Sequence, residues 1–164
     1  MALHRAAQSI EFFGLGASGI VALDTQQKFP LFSVSCGAPA DAHQQLMTAS
    51  MMRSEDVAVV ISNTGRTSAI LDVAQAARLA GAKVIGISGS QSPLLENCDV
   101  GIIVETLENT NIYTPTISRI AALVVIDVLS AAVGLSRDAE HGQKFAEIKR
   151  LLGGQRKIVA DDQG

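Results

Sequence analysis

Short apolar runs and longer stretches of helical spacing alternate along this chain. Ile10 to Leu15, Leu31 to Ser35, Val57 to Ile61, Lys83 to Ile87 and Val100 to Val104 predict strands. A helix is expected from about Ser18 to Phe29, stopped by Pro30, which disfavours helix just before it. The next opens at Pro39, with Asp41 favourable in its first turn, and runs to about Met52. Ile70, Leu71, Val73, Ala74, Ala77 and Leu79 follow the 3.6-residue period of a third helix, which begins near Ser68 and ends at Gly81. Pro93 opens a short helix with Ser92 as its cap. A polar connection from Glu105 to Thr114 leads to a long apolar helix over about Pro115 to Val133. A last amphipathic helix is expected from about Asp138 to Leu152, and from Gly153 onward the pattern predicts a disordered tail.

Strands alternating with helices specify an α/β fold, a doubly wound, five-stranded parallel sheet with helices on both faces, in a single domain over 1–164. Ligands of such sheets bind outside the carboxyl ends of the strands, where strand order reverses. Three loops lie at carboxyl ends: Gly14 to Gly19, Ser62 to Thr67 and Ser88 to Ser92. Two or three of them can face one ligand. Met1 to Ala7 reads as the end of a helix entered abruptly, so the chain is expected to be a piece of a longer protein.

Composition narrows the function classes. With 48% hydrophobic residues in 164, the chain can bury a core without disulfides or metals. No run reaches the roughly 18 uncharged residues of a membrane span. Ile117 to Leu135 comes nearest, but Arg119 and Asp127 interrupt it, so a buried helix is expected and no membrane contact. Cys36 and Cys98 form no C-x-x-C pair, and no signal-peptide pattern opens the chain; a reducing cytoplasm is the expected compartment. His4, His43 and His141 lack ligand spacing, so neither metal nor other cofactor is expected. A net charge of -3, no tryptophan and one tyrosine argue against nucleic-acid binding by this segment itself.

The chemistry concentrates in Ser62-Asn63-Thr64-Gly65-Arg66-Thr67, a strand-to-helix turn carrying three hydroxyls, a glycine and an arginine. Hydroxyls and free N–H groups at a helix N-terminus suit an anion, most simply a phosphate. A plain N-cap by Ser62 or Thr64 would account for one hydroxyl, not three. Gly14-Leu15-Gly16-Ala17-Ser18-Gly19 matches G-x-G-x-x-G between a strand and a helix, which raises a dinucleotide fold. The second strand, however, offers no carboxylate for a ribose before Asp41. The Gly-Lys-Ser/Thr ending of a P-loop is absent as well. Ser18 instead presents a hydroxyl at a helix start, toward the Ser62 loop, unless it only caps its helix.

These two loops resemble those of sugar isomerase (SIS) domains, the second matching their S-x-[ST]-G-x-T phosphate signature. The likeness runs from about Ile10 to Leu135. Ile61 to Thr67 and Tyr113-Thr114-Pro115-Thr116-Ile117-Ser118-Arg119 are closer still to the SIS domains of RpiR-type transcription regulators, the HexR branch above all. That resemblance implies a flavodoxin-like sheet, a homodimer or a tetramer, and a phosphorylated sugar or sugar acid such as 2-keto-3-deoxy-6-phosphogluconate as effector. It assigns phosphate contacts to Ser18, Ser62, Asn63, Thr64, Gly65 and Thr67. It also implies DNA binding through an N-terminal helix-turn-helix domain absent from these residues.

A keto-deoxy-phosphogluconate carries a carboxylate opposite its phosphate, and an arginine fork takes a carboxylate bidentately. Arg66 and Arg119 are therefore the candidates for the sugar-acid end, against surface ion pairing. The expected protein does no chemistry. The alternative is an aldose–ketose sugar-phosphate isomerase, with Glu108 as base and His141 for ring opening. His141 reads equally as a helix-surface residue. Met47, Met51 and Met52 read as core, or as a dimer seam along their helix.

Overall fold

The computed structural model describes residues 7–29, 34–109, 114–136 and 139–161, with side chains of the last segment described over 142–154. Five strands and six helices alternate: β1 (Ser9–Phe13), α1 (Ala17–Lys28), β2 (Ser35–Gly37), α2 (Ala42–Ser50), β3 (Val57–Ile61), α3 (Ser68–Leu79), β4 (Lys83–Ser88), α4 (Pro93–Glu96), β5 (Val100–Ile103), α5 (Ile117–Leu135) and α6 (Ala139–Asp161). All pairings are parallel and the order is β2-β1-β3-β4-β5. The order reverses between β1 and β3, the switch point of the flavodoxin-like arrangement.

Two layers of side chains hold the sheet. In β3 all five residues are buried, as a central strand covered on both faces requires. The two-residue pleat sends Val57, Val59 and Ile61 into one layer with Ile10, Phe12, Ile85 and Ile87, under α1 and α5. It sends Ala58 and Val60 into the other, with Phe13, Ile70, Val73, Ala74 and Leu94. Lys28 on α1 bridges Asp24 at 2.8 Å on its own helix and also pairs with Asp127 of α5.

α5 has the length and hydropathy of a membrane-crossing helix. Its stripe Ser118, Ala122, Ile126 and Val133 is nonetheless buried in the core. The opposite face leaves Ile117, Ile120, Val124 and Val128 more than half exposed, so the expectation of a buried helix holds for one face only.

Other boundaries moved for local reasons. α2 begins at Ala42 rather than near Pro39, because Asp41 acts as its N-cap and accepts from the His43 and Gln44 N–H groups. Ser92 sits at the N-cap of α4 but makes no capping bond; its hydroxyl donates instead to Ser88 Oγ at 3.1 Å. α6 continues to Asp161, past the expected tail from Gly153. Two glycines weaken a helix by about 1 kcal/mol each without ending it. Of the second expected strand, Leu31 to Ser33 lies outside the described residues, as does Asp138.

Ile126 is 1% exposed at the contact of α5 with the sheet. Ile126→Ala should cost about 2–5 kcal/mol of stability, read as a lowered denaturant midpoint at unchanged slope.

Candidate functional site

The two signature loops leave neighbouring strands at the switch point. After β1, Gly16 adopts φ +57° and stands at the N-cap of α1. With no side chain there, the N–H groups of the first turn have no side-chain cap. Ser18 lies inside that first turn, so it does not cap the helix, and it lines the cavity instead.

The loop after β3 is built more tightly. Ser62 is 5% exposed, its N–H donating to Ile87 O at 3.0 Å and its Oγ accepting from the Gly65 N–H at 3.2 Å. Thr64 Oγ1 accepts from the Arg66 N–H at 3.3 Å. The N-cap of α3 is Thr67, and its side chain makes no capping bond. Gly65 has φ +60°, and a Cβ added there would stand 2.0 Å from Ser92 Oγ and 2.7 Å from Ser88 Oγ. Only glycine satisfies both the backbone angle and the space.

Between the loops lies a cavity of about 250 Å³, just under the roughly 300–1,000 Å³ of drug-sized sites. Ser18, Ser62, Asn63, Thr64 and Thr67 line it from two sides. β4 contributes Ser88, its following turn Gly89, and α5 contributes Ser118 and Arg119 over an apolar floor that includes Ile61, Ile87 and Ala122. Arg119 is the only ionisable side chain among the described lining residues. Gly65 shapes the loop from behind, while Arg66 is exposed and does not line the cavity.

Of these, Ser118 was not singled out from the sequence. It is 5% exposed and its Oγ donates to Glu108 Oε2 at 2.6 Å. The Thr116, Ile117 and Ser118 N–H groups also donate to this carboxylate, at 2.7, 3.0 and 2.9 Å. Glu108 thus caps α5 from the preceding connection, and the Ser118 hydroxyl followed by the backbone N–H groups hold its carboxyl down to about 2. His141 falls on α6, and its side chain is outside the described residues. Asp41, the nearest carboxylate after β2, is taken up by its own helix cap.

Residues 3–132 match the SIS domain family. The chain is 43% identical over 146 residues to the HTH-type transcriptional regulator HexR of Pseudomonas aeruginosa, covering 89% of this chain and 51% of that protein. It therefore spans about half the length of this relative. In fold it is similar to the Vibrio vulnificus NanR protein complexed with ManNAc-6P, with a TM-score of 0.81 at 22% identity over 92% of this chain and 59% of that one. The sugar isomerase domain of an RpiR transcription factor from Sphaerobacter thermophilus gives 0.76 at 17% identity, over 91% and 83%. With a hydroxyl-lined cavity at the switch point and a match running through both loops, the chain belongs to the SIS domain family.

Proposed function

We propose that this chain is the effector-binding domain of a HexR/RpiR-like transcription regulator of carbohydrate catabolism, working in the cytoplasm. Its effector is a phosphorylated sugar acid, 2-keto-3-deoxy-6-phosphogluconate first among them, bound without chemical change. One observation carries this reading: Ser18, Ser62, Thr64 and Thr67 line one cavity beside the N-termini of α1 and α3, whose N-cap residues make no side-chain capping bond. Bonds to a charged oxygen contribute roughly 1.5–3 kcal/mol each, so three or four suffice to anchor a phosphate ester. That Arg119 lines the cavity and Arg66 does not supports Arg119 as the residue for the acid end. The identity to a HexR regulator and the fold shared with a ManNAc-6P-bound NanR support the ligand class and the regulatory role. DNA contact belongs to a helix-turn-helix domain outside these residues, and the exposed Ile117, Ile120, Val124 and Val128 face of α5 supports a homodimer.

Glu108 speaks against the isomerase alternative. A general base works best with a pKa near the operating pH, whereas this carboxylate is held down to about 2 by four donors. It behaves as a helix cap.

Thermal-shift screening against hexose, pentose and keto-deoxy sugar phosphates tests the reading. At 100 times its dissociation constant a true effector adds about 2.7 kcal/mol of stability. Ser62→Ala should weaken binding by about tenfold, measured by calorimetric titration, and unchanged affinity would remove the basis for the phosphate assignment. Turnover of a ketose phosphate that disappears in Glu108→Gln would show the isomerase instead. Val124→Glu should shift a dimer toward monomer in sedimentation.

Acid should also expose the cap. Because the folded pKa of Glu108 lies near 2 against an ordinary 4.5, its stabilisation is complete above about pH 4.5 and is lost as pH falls toward 2. The melting-temperature gap between wild type and Glu108→Gln should therefore be full at pH 7 and shrink across that interval.

A further inference from the structure

Gln45 is a polar side chain that neither the cavity nor the fold-level pattern explains. It sits on α2 with no exposed surface. Its Nε2 donates to the Gly14 carbonyl at 2.7 Å and to the Pro39 carbonyl at 2.9 Å. Two carbonyls can be met only by the NH₂ of the amide, so the orientation follows from the chemistry. Oε1 is then buried without a hydrogen-bond partner among the described residues. Leaving a buried acceptor unpaired is costly, and an apolar side chain at this position would not incur that cost.

What the amide holds is the backbone beneath Ser18. Gly14 lies so close under the first turn of α1 that a Cβ on it would come within 2.6 Å of the Ser18 carbonyl oxygen. α2 also packs along α3, the helix that starts from the Ser62 to Thr67 loop. Gln45 thus stands on an element packed against one arm of the cavity and grips the other arm by its backbone. An O–H···O bond tolerates only about 2.5–3.0 Å, so a small shift of Gly14 takes the Ser18 hydroxyl out of reach of a ligand bound at Ser62.

We infer that Gln45 is a positioning residue for ligand binding: through Gly14 it sets the distance of Ser18 from the Ser62 to Thr67 loop. The inference rests on the phosphosugar reading of the cavity. Gln45 does not touch the ligand; its effect passes through Ser18.

A double-mutant cycle tests this, because independent effects add and coupled ones do not. Dissociation constants for 2-keto-3-deoxy-6-phosphogluconate are measured by calorimetry for wild type, Ser18→Ala, Gln45→Met and the double variant. Gln45→Met keeps length and apolar packing while removing both N–H donors. It should weaken binding by about tenfold in the wild-type background and by less than about threefold once Ser18 is alanine. Gln45→His, which retains an N–H donor, should recover part of the loss. Equal losses in both backgrounds, or no loss, would overturn the inference and leave Gln45 a core residue only. If Gln45→Met does not fold, Gln45→Asn, whose amide is too short to span both carbonyls, enters the same cycle with the same outcomes. A wild-type chain that binds no sugar phosphate would overturn the cavity reading and this inference together; binding with additive losses would overturn the inference alone.

Discussion

The site depends on the close seating of one turn against its neighbour. Gly65, at φ +60°, lies where any Cβ would collide with the hydroxyls of Ser88 and Ser92. The Asn63 carbonyl next to it accepts from the Gly89 N–H at 2.9 Å and from Ser88 Oγ at 3.4 Å, and the Leu94 N–H donates to the Gly65 carbonyl at 3.1 Å. The loop between β3 and α3 is therefore held by β4 and α4 from behind. Its front, with Ser62, Thr64 and Thr67, is left facing the cavity. Such preorganisation matters because a loop that had to be ordered by its ligand would lose part of the binding energy to that ordering.

Charge plays a small part in this design. Apart from Arg119, the described lining is hydroxyl, backbone and aliphatic. The N-terminal residues of α1 and α3 border this lining, and helix N-termini carry a partial positive charge suited to an anion. The third nearby N-terminus, that of α5, is handled differently. There the chain supplies its own anion, Glu108, and the helix is capped before any ligand arrives. Superficially similar helix starts thus differ: the N-cap residues of α1 and α3 make no side-chain capping bond, whereas α5 is capped by Glu108 while Ser118 and Arg119 line the cavity.

α5 also links the site to the outside of the molecule. One stripe of the helix closes the α1 side of the core, where Lys28 ties it to α1. Its N-terminal turn borders the cavity, and its outer face presents isoleucines and valines to solvent. A rigid element that touches both a ligand and an apolar surface is a physical route by which binding at one can bias association at the other, provided two arrangements of it exist.

The sequence by itself determined the architecture. Hydrophobic runs of strand length separated by 3.6-residue periodicity leave a parallel, doubly wound sheet as the consistent answer; Val57 to Ile61 kept its expected boundaries, and α3 starts at Ser68 as expected and stops at Leu79, two residues before Gly81. The Ser62 to Thr67 turn was equally legible as a strand-to-helix turn bordering a cavity, because its residue types and its place between strand and helix are both local. Tertiary structure decided what local pattern cannot encode. Arg66 and Arg119 are alike as side chains, yet only the packing of α5 brings one of them to the cavity. Glu108 reads as a base from its position after the last strand, but its carboxylate caps α5, accepting from Ser118 Oγ ten positions further along the chain. Gln45 lies 31 residues from the carbonyl it holds. Contacts of that separation depend on how elements stack, which periodicity and propensity do not record.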